Sequence, residues 1–488
     1  MTTGTTVQTL KNYVAGQWKE SSSGETIEVH NPATDEVIAR YPAMTSSEVG
    51  QVVDQAHNAF SAWRKTPPLD RARLLMKLKN LFDEHHDELA KVLCLEHGKT
   101  YNEAHLEMER GIENVEVACG VTTLMQGAVL EDAARGIDEY SIRQPLGVSA
   151  SLTPFNFPGM IPLWSLPYAL ACGNCFVMKA SPRMPMTAVK MFELIDQVGF
   201  PSGVVNLVLG GSAAGEALIQ HRQVKTLSFV GSTEVGKVVY EKSAAAGKRA
   251  QVAAGAKNFG VAMPDADLDN AVANLIGSAM GCSGQRCLAL AGVIAVGDAY
   301  EKLRDRLIDT ARNMKVGFAL DKDVAMGPVI SRQAQSRIEQ AIQQGVDDGA
   351  QLALDGRGLK VDGYPNGYWV GPTVLDDCRP EMRVVTEEIF GPVFCILRAK
   401  DLDEAIGIIN SSRYGNAAAI YTSSGASARQ FRYEVDAGNI GINIGVAAPM
   451  AYFPFGGSKD SFFGTMHAQG KNAFEFFTDA KVCVERWF

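Results

Sequence analysis

From residue 147 onward the chain alternates between short apolar runs and amphipathic stretches of helical period. That alternation confines it to a parallel sheet covered by helices on both faces. GVSASLT, CFVMKA, VVNLVL and TLSFV read as strands. Between and after them, PGMIPLWSLPYALA, PMTAVKMFELIDQVG, SAAGEALIQH and STEVGKVVYEKSAAAG read as helices, two of them stopped by Gly199 and Gly247, with Ser232 as a cap. Sheets of this kind bind nucleotides beyond the carboxyl ends of their strands. A second α/β alternation runs from about residue 258 to 450, through DADLDNAVANLIGSAM, LAGVIAVGD, AYEKLRDRLIDTARNM and LDEAIGIINSS. Two such units with a reactive loop near their junction predict a site in a cleft.

The N-terminal part predicts short strands in NYVAGQWKE and ETIEVHNPATDEVIARYPA, then amphipathic helices around 46–63, 69–97 and 100–124. Segment 127–146 fits neither alternation. With the strand-like C-terminal AKVCVERWF it is expected to form an edge-to-edge assembly element.

The 488 residues have room for two or three domains. A net charge of −9 gives no electrostatic reason to expect nucleic acid or an anionic membrane as partner. An anionic substrate would need local arginines. The N-terminus lacks the pattern of a secretory signal. The most apolar region, 147–178, is broken by Pro154, Asn156, Pro158, Pro162, Pro167 and Asn174, which argues against a membrane span. Nine scattered cysteines point to free thiols in a reducing cytoplasm. Cys172 and Cys175 form a C-x-x-C without a second pair, and the histidines show no ligand spacing, so no metal site is expected.

The only glycine-rich candidate for a dinucleotide fingerprint, LGGSAAGEA, lacks the required spacing. SFVGSTEVGK is more informative: a strand runs directly into a helix whose first turn holds Gly231, Ser232 and Thr233, where free N–H groups can accept a pyrophosphate. In GCSGQRC, Cys287 lies in a turn beside Arg286. An adjacent guanidinium is expected to favour the thiolate, lowering the thiol below its free pKa of about 8.5.

With TPFNFP, VMKAS, FVGSTEVGK, GAKN, GQRC, EEIFGPV and PFGGSK in this order, nearly the whole chain resembles the aldehyde dehydrogenase superfamily. The resemblance implies a Rossmann-type cofactor domain (1–126 and 147–256), an α/β catalytic domain (257–455) and a small β oligomerisation element (127–146 and 469–488), in a homodimer or homotetramer. It makes Cys287 the nucleophile, with the Asn156 amide and the Cys287 backbone N–H as oxyanion donors. It places Thr153, Phe155, Lys179, Arg183, Gly231, Ser232, Glu388 and Phe390 around a nicotinamide dinucleotide. Lys179 and Glu388 fall at the riboses, Ser232 at the pyrophosphate and Phe390 near the nicotinamide. Cys282 is expected to be a packing thiol.

Hydrolytic members carry a glutamate at the position held here by Ala253 in VAAGAKN. A methyl group cannot activate water, so a thiol such as coenzyme A becomes the expected acyl acceptor. Together with RGIENVEVACG, GQRCLAL and KDSFFG, this resembles the CoA-acylating methylmalonate/malonate semialdehyde branch. That branch implies that Arg110 and Arg286 hold a substrate carboxylate, and that CO2 is lost before acetyl-CoA or propionyl-CoA forms. Arg110 has another possible partner in Glu107 or Glu113 on its own helix. Pro182 and Arg183 replace the usual acidic contact to the adenosine ribose. NAD is the expected cofactor, and tolerance of NADP stays open. Ser458 is expected to alter the substrate pocket, and loop 445–455 to line it. The competing readings are a hydrolytic dehydrogenase of another carboxylated aldehyde and a catalytically silent cofactor-binding scaffold.

Overall fold

A computed structural model describes residues 7–488. The predicted parallel sheet is present: Val148–Leu152, Cys175–Lys179, Val205–Val208, Val224–Val230 and Arg249–Ala253 run parallel. Antiparallel edges are added by Asn12–Val14 and Gln17–Lys19 on one side and Phe462–Phe463 on the other. The chain moves outward from Val148–Leu152 through Cys175–Lys179 to Val205–Val208. It then returns to place Val224–Val230 on the opposite side of Val148–Leu152. This reversal is the topological switch point, and the carboxyl ends of those two strands open a crevice there.

The second unit is a seven-stranded sheet in the order Gln351–Leu354, Thr373–Asp376, Val393–Ala399, Leu290–Val296, Asn258–Ala262, Ala417–Tyr421, Asn439–Ile442. All its pairings are parallel except the one at the Gln351–Leu354 edge. Each unit has its own apolar core. A small cluster lies between them, in which Trp164 and Phe455 pack with Leu288, Ala417, Ala253 and Cys287.

Three predicted helices are divided. The stretch 69–97 breaks at His85 into Pro68–Glu84 and His86–His97, 100–124 breaks at Gly120 into Tyr101–Cys119 and Val121–Leu124, and 158–171 becomes a 3-10 turn, Ile161–Trp164, followed by Leu166–Cys172. Helix Tyr101–Cys119 starts with a capping box between Thr100 and Glu103. It buries Ala104, Met108, Ile112, Val115 and Ala118 while Asn102, Glu109 and Glu116 stay exposed on the other face. Gly111 lets this helix lie against the turn at 160–163, since a Cβ there would come within 3.1 Å of Met160 Cα.

Thr478–Arg486 pairs antiparallel with Ile137–Pro145 over nine residues, and Val129–Ala134 completes a three-stranded sheet outside both units. The segment between the second unit and this sheet returns to the first: Phe462–Phe463 joins its edge, and Ala473, Phe474 and Phe476 are buried in its core. Cys172 and Cys175 are free thiols buried in the same core, and no helix among the described residues is long and apolar enough to cross a membrane.

Candidate active site

Residues from the first unit gather at the switch point. Thr153 follows Leu152 and its N–H donates to the Lys179 carbonyl at 3.1 Å, which aligns TPFNFP with the end of the neighbouring strand. Gly231 donates to the Ala253 carbonyl, and helix Thr233–Ala245 begins next to it. Ser232 occupies the N-cap position with extended backbone, but its hydroxyl makes no capping bond. This differs from the expected cap. It leaves the first-turn N–H groups for an anion, because no side-chain oxygen covers them.

Lys179 is buried and forms no ion pair among the described residues, and burial lowers its ammonium to about 8. An uncompensated cation at a parallel-strand end suits a polar, anionic ligand such as a dinucleotide. Across the crevice, the Glu388 carboxylate accepts from the Ala256 N–H at 2.9 Å, and burial raises its pKa to about 7. Phe390 sits at φ +54° and meets the Phe155 ring edge-on, with centroids 5.8 Å apart. Arg183 is exposed at the outer end, its guanidinium 3.4 Å from Gln333 of the second unit.

The cysteine loop is built by three consecutive left-handed residues, Cys282, Ser283 and Gly284. Gly284 is required here: a Cβ would come 2.1 Å from the Gly391 carbonyl oxygen, so the loop lies directly against EEIFGPV. Asn258 and Asn416 both donate to the Cys287 carbonyl at 2.8 Å. The Asn156 amide donates to the Gln285 carbonyl at 3.1 Å, two residues before the thiol. Asn258 was visible only as part of GAKN, and Asn416 carries no local signal at all.

Cys287 borders two spaces. On one side a recess is shared with Glu388, Phe390, Lys257 and Asn258. On the other is a cavity of about 240 Å³ whose wall includes Arg110, Arg286, Phe157, Trp164, Val446 and Phe455. Loop 445–455 does line this cavity, through Val446, Ala448, Pro449, Ala451 and Phe455. Ser458 does not. Its hydroxyl donates to Asp436 at 3.0 Å beside the strand bridge to Tyr414–Gly415.

The electrostatics correct one expectation. Burial pushes the Cys287 thiol up to about 12, and the Glu388 charge adds to the rise. The backbone amides of Cys287 and Leu288 and, last, the Arg286 guanidinium act in the opposite direction without prevailing. Arg286 is turned toward Glu103, with Nη2 2.9 Å from Oε1, and Nε lies 3.3 Å from Cys282 Sγ. Cys282 is thus buried packing with an arginine contact. Arg110 pairs with Glu113 at 2.8 Å and donates to the Pro449 carbonyl, so of its two candidate helix partners it takes the later one. Ala253 packs among Trp164, Phe455, Phe462 and Ala468, and among the described residues no ionisable group lines that recess.

A switch-point crevice that faces a cleft cysteine from a second α/β unit defines a class of nucleotide-linked, thiol-dependent aldehyde oxidoreductases. The chain belongs to the aldehyde dehydrogenase family, whose model matches residues 18–483. It is 48% identical to malonate-semialdehyde dehydrogenase 2 of Geobacillus kaustophilus over the full length of both chains. Its fold matches the crystal structure of methylmalonate-semialdehyde dehydrogenase from Oceanimonas doudoroffii with a TM-score of 0.97, at 42% identity over 99% of each chain. A Sinorhizobium meliloti 1021 protein assigned the same activity and solved in complex with NAD gives the same TM-score, at 39% identity over 99% of this chain and 98% of that one.

Proposed function

We propose that the protein oxidises malonate semialdehyde or methylmalonate semialdehyde with NAD and transfers the resulting acyl group to coenzyme A. The observation that carries this reading is the cavity beside Cys287. Two arginines line it, while the position that would hold a water-activating carboxylate is the methyl group of Ala253. The three named relatives and the length of the matches support the substrate class.

Cys287 Sγ gives its proton to solvent and bonds to the aldehyde carbon, and the carbonyl π electrons move to the former carbonyl oxygen as its negative charge. The Asn156 amide has two N–H groups: one stays on the Gln285 carbonyl, and the other donates to that oxygen together with the Cys287 backbone N–H. When bound, the nicotinamide supplies the two-electron acceptor that turns the adduct into a thioester on Cys287. Arg286 and Arg110 hold the substrate carboxylate until its carbon leaves as CO2, a proton taking its place on the acyl α-carbon. The coenzyme A thiolate then attacks the thioester carbon and Cys287 leaves as the thiolate.

Thr153, Phe155, Lys179, Gly231, Ser232, Glu388 and Phe390 are the proposed dinucleotide contacts, with Arg183 at the adenosine ribose. The three-stranded sheet exposes Val129, Leu130, Val482 and Val484 and is the proposed oligomer contact. A hydrolytic reading has one observation in its favour: Glu388, poised near neutrality, exerts its field on Cys287. Turnover of malonate semialdehyde with NAD, with and without coenzyme A, separates the two. The acylating reading expects a single burst without coenzyme A and acetyl-CoA by mass spectrometry with it. Equal multiple turnover without coenzyme A would reject it.

A further inference from the structure

Among the described residues, Lys99 and Glu107 form the one ion pair whose two side chains are wholly enclosed, with Nζ and Oε2 2.5 Å apart. Enclosing two charges is expensive, and an apolar pair of similar volume is often as stable. The remaining bonds of this pair converge on one segment. Lys99 Nζ donates to the Asn156 backbone carbonyl at 2.7 Å and lies 4.3 Å from the centre of the Phe157 ring. Glu107 Oε1 accepts from the Gly159 N–H at 2.7 Å and from the Met160 N–H at 3.2 Å. The five residues 156–160 are thus gripped at both ends.

Local structure sets up this grip. Lys99 follows Gly98, at φ +88°, in the turn before helix Tyr101–Cys119, and Glu107 projects from that helix two turns later. Gly159 allows the loop to lie flush on the helix, since a Cβ there would come 2.4 Å from Met108 Sδ. Burial opposes the Lys99 charge, but the fields of Cys282, Glu107 and Glu103 outweigh it and raise its pKa, so the ammonium stays charged.

We infer that Lys99 and Glu107 are positioning residues for the oxyanion donor: they fix the Asn156 backbone so that its amide is aimed at the carbonyl oxygen of an aldehyde on Cys287. This rests on the reading of Asn156 as that donor. Oxyanion donors work only when preorganised to within a fraction of an ångström, and a backbone carbonyl clamped by an enclosed ammonium provides that precision.

Lys99→Met alone strands a buried carboxylate and is expected to fold poorly. The test therefore uses the charge-neutral double variant Lys99→Met/Glu107→Gln, in which the glutamine oxygen can still accept from the loop. The burst rate of reduced nicotinamide is expected to fall roughly 10- to 100-fold, with KM for the aldehyde changed less than about threefold. Alkylation of Cys287 by iodoacetamide develops no oxyanion and is expected to stay within about twofold of wild type. In an Asn156→Ala background the same double change is expected to alter the burst by less than about twofold, because the group it positions is already gone. Alkylation falling in parallel with the burst, or full additivity with Asn156→Ala, would overturn the inference. An undiminished burst in Asn156→Ala alone would overturn the oxyanion reading and this inference with it.

Discussion

Arg286 beside the nucleophile is bonded to Glu103 on the facing helix, Nη2 to Oε1 at 2.9 Å, and the same Glu103 oxygen accepts from the Cys282 N–H at 2.7 Å. The arginine is thereby held at the cavity wall, not over the thiol. On the proposed function its use is recognition of a carboxylate, for which a planar, multiply donating head is suited.

Arg286→Lys is expected to lower kcat/KM for malonate semialdehyde about 10- to 100-fold, the worth of a charge-assisted hydrogen bond of roughly 1.5–3 kcal/mol. Propanal, which has no carboxylate, is expected to change little. Parallel steady-state measurements with both aldehydes check this, and equal losses would contradict the role.

The pH dependence of Cys287 follows from its burial. With the thiol pushed up to about 12, the thiolate fraction in the free protein rises with pH throughout the neutral and mildly alkaline range. Iodoacetamide alkylation is expected to climb across roughly pH 7 to 9 without a plateau, since the thiolate is the reacting form. A plateau near neutrality would show that the free site already stabilises the anion.

Glu388 titrates in the opposite sense to a salt-bridged carboxylate. Its folded pKa of about 7 lies above the unfolded value of about 4.3, so between these the folded state holds the extra proton and stability falls as pH rises. Glu388→Gln is expected to remove up to one proton from that slope, at most about 1.4 kcal/mol per pH unit. Thermal unfolding from acid to neutral pH measures it.

Ala253→Glu places a carboxyl in the apolar cluster with Trp164 and Phe455. Tm is expected to fall, by the equivalent of roughly 1–3 kcal/mol for an unpaired buried polar group. Turnover without coenzyme A is expected to rise about 10-fold or more as the carboxylate activates water. An unchanged water-dependent rate would mean that the pocket excludes water by other means.

Gly284→Ala combines a φ of +71° with a Cβ 2.1 Å from the Gly391 carbonyl oxygen. The loops carrying Cys287 and Glu388 must then separate. A loss of about 2 kcal/mol or more in unfolding free energy is expected, together with a higher KM for NAD.

The strands and helices of the first unit were legible because each depends on neighbours a few residues away. Cys175–Lys179 and Pro185–Val198 fall where their patterns predict. Less of the second unit was readable: Arg332–Asp347 and Ala417–Tyr421 have no motif to mark them. At the site, Ser232 has the right residue type for a cap, yet its hydroxyl is not turned to the helix. Residue type permits a cap, but side-chain rotation decides whether one forms.

By itself the sequence determined the alternation that makes two α/β units, the cysteine in its glycine-rich turn, and the absence of a carboxylate at residue 253. These are local facts, set by side-chain size, period and chemistry. Tertiary structure alone decided which charge each arginine meets, how deeply the thiol is buried, and that Lys99 and Glu107 grip the Asn156 loop. Those outcomes depend on desolvation and pairing between groups far apart in the chain: Glu103 and Arg286 are 183 residues apart, and no local pattern encodes their meeting.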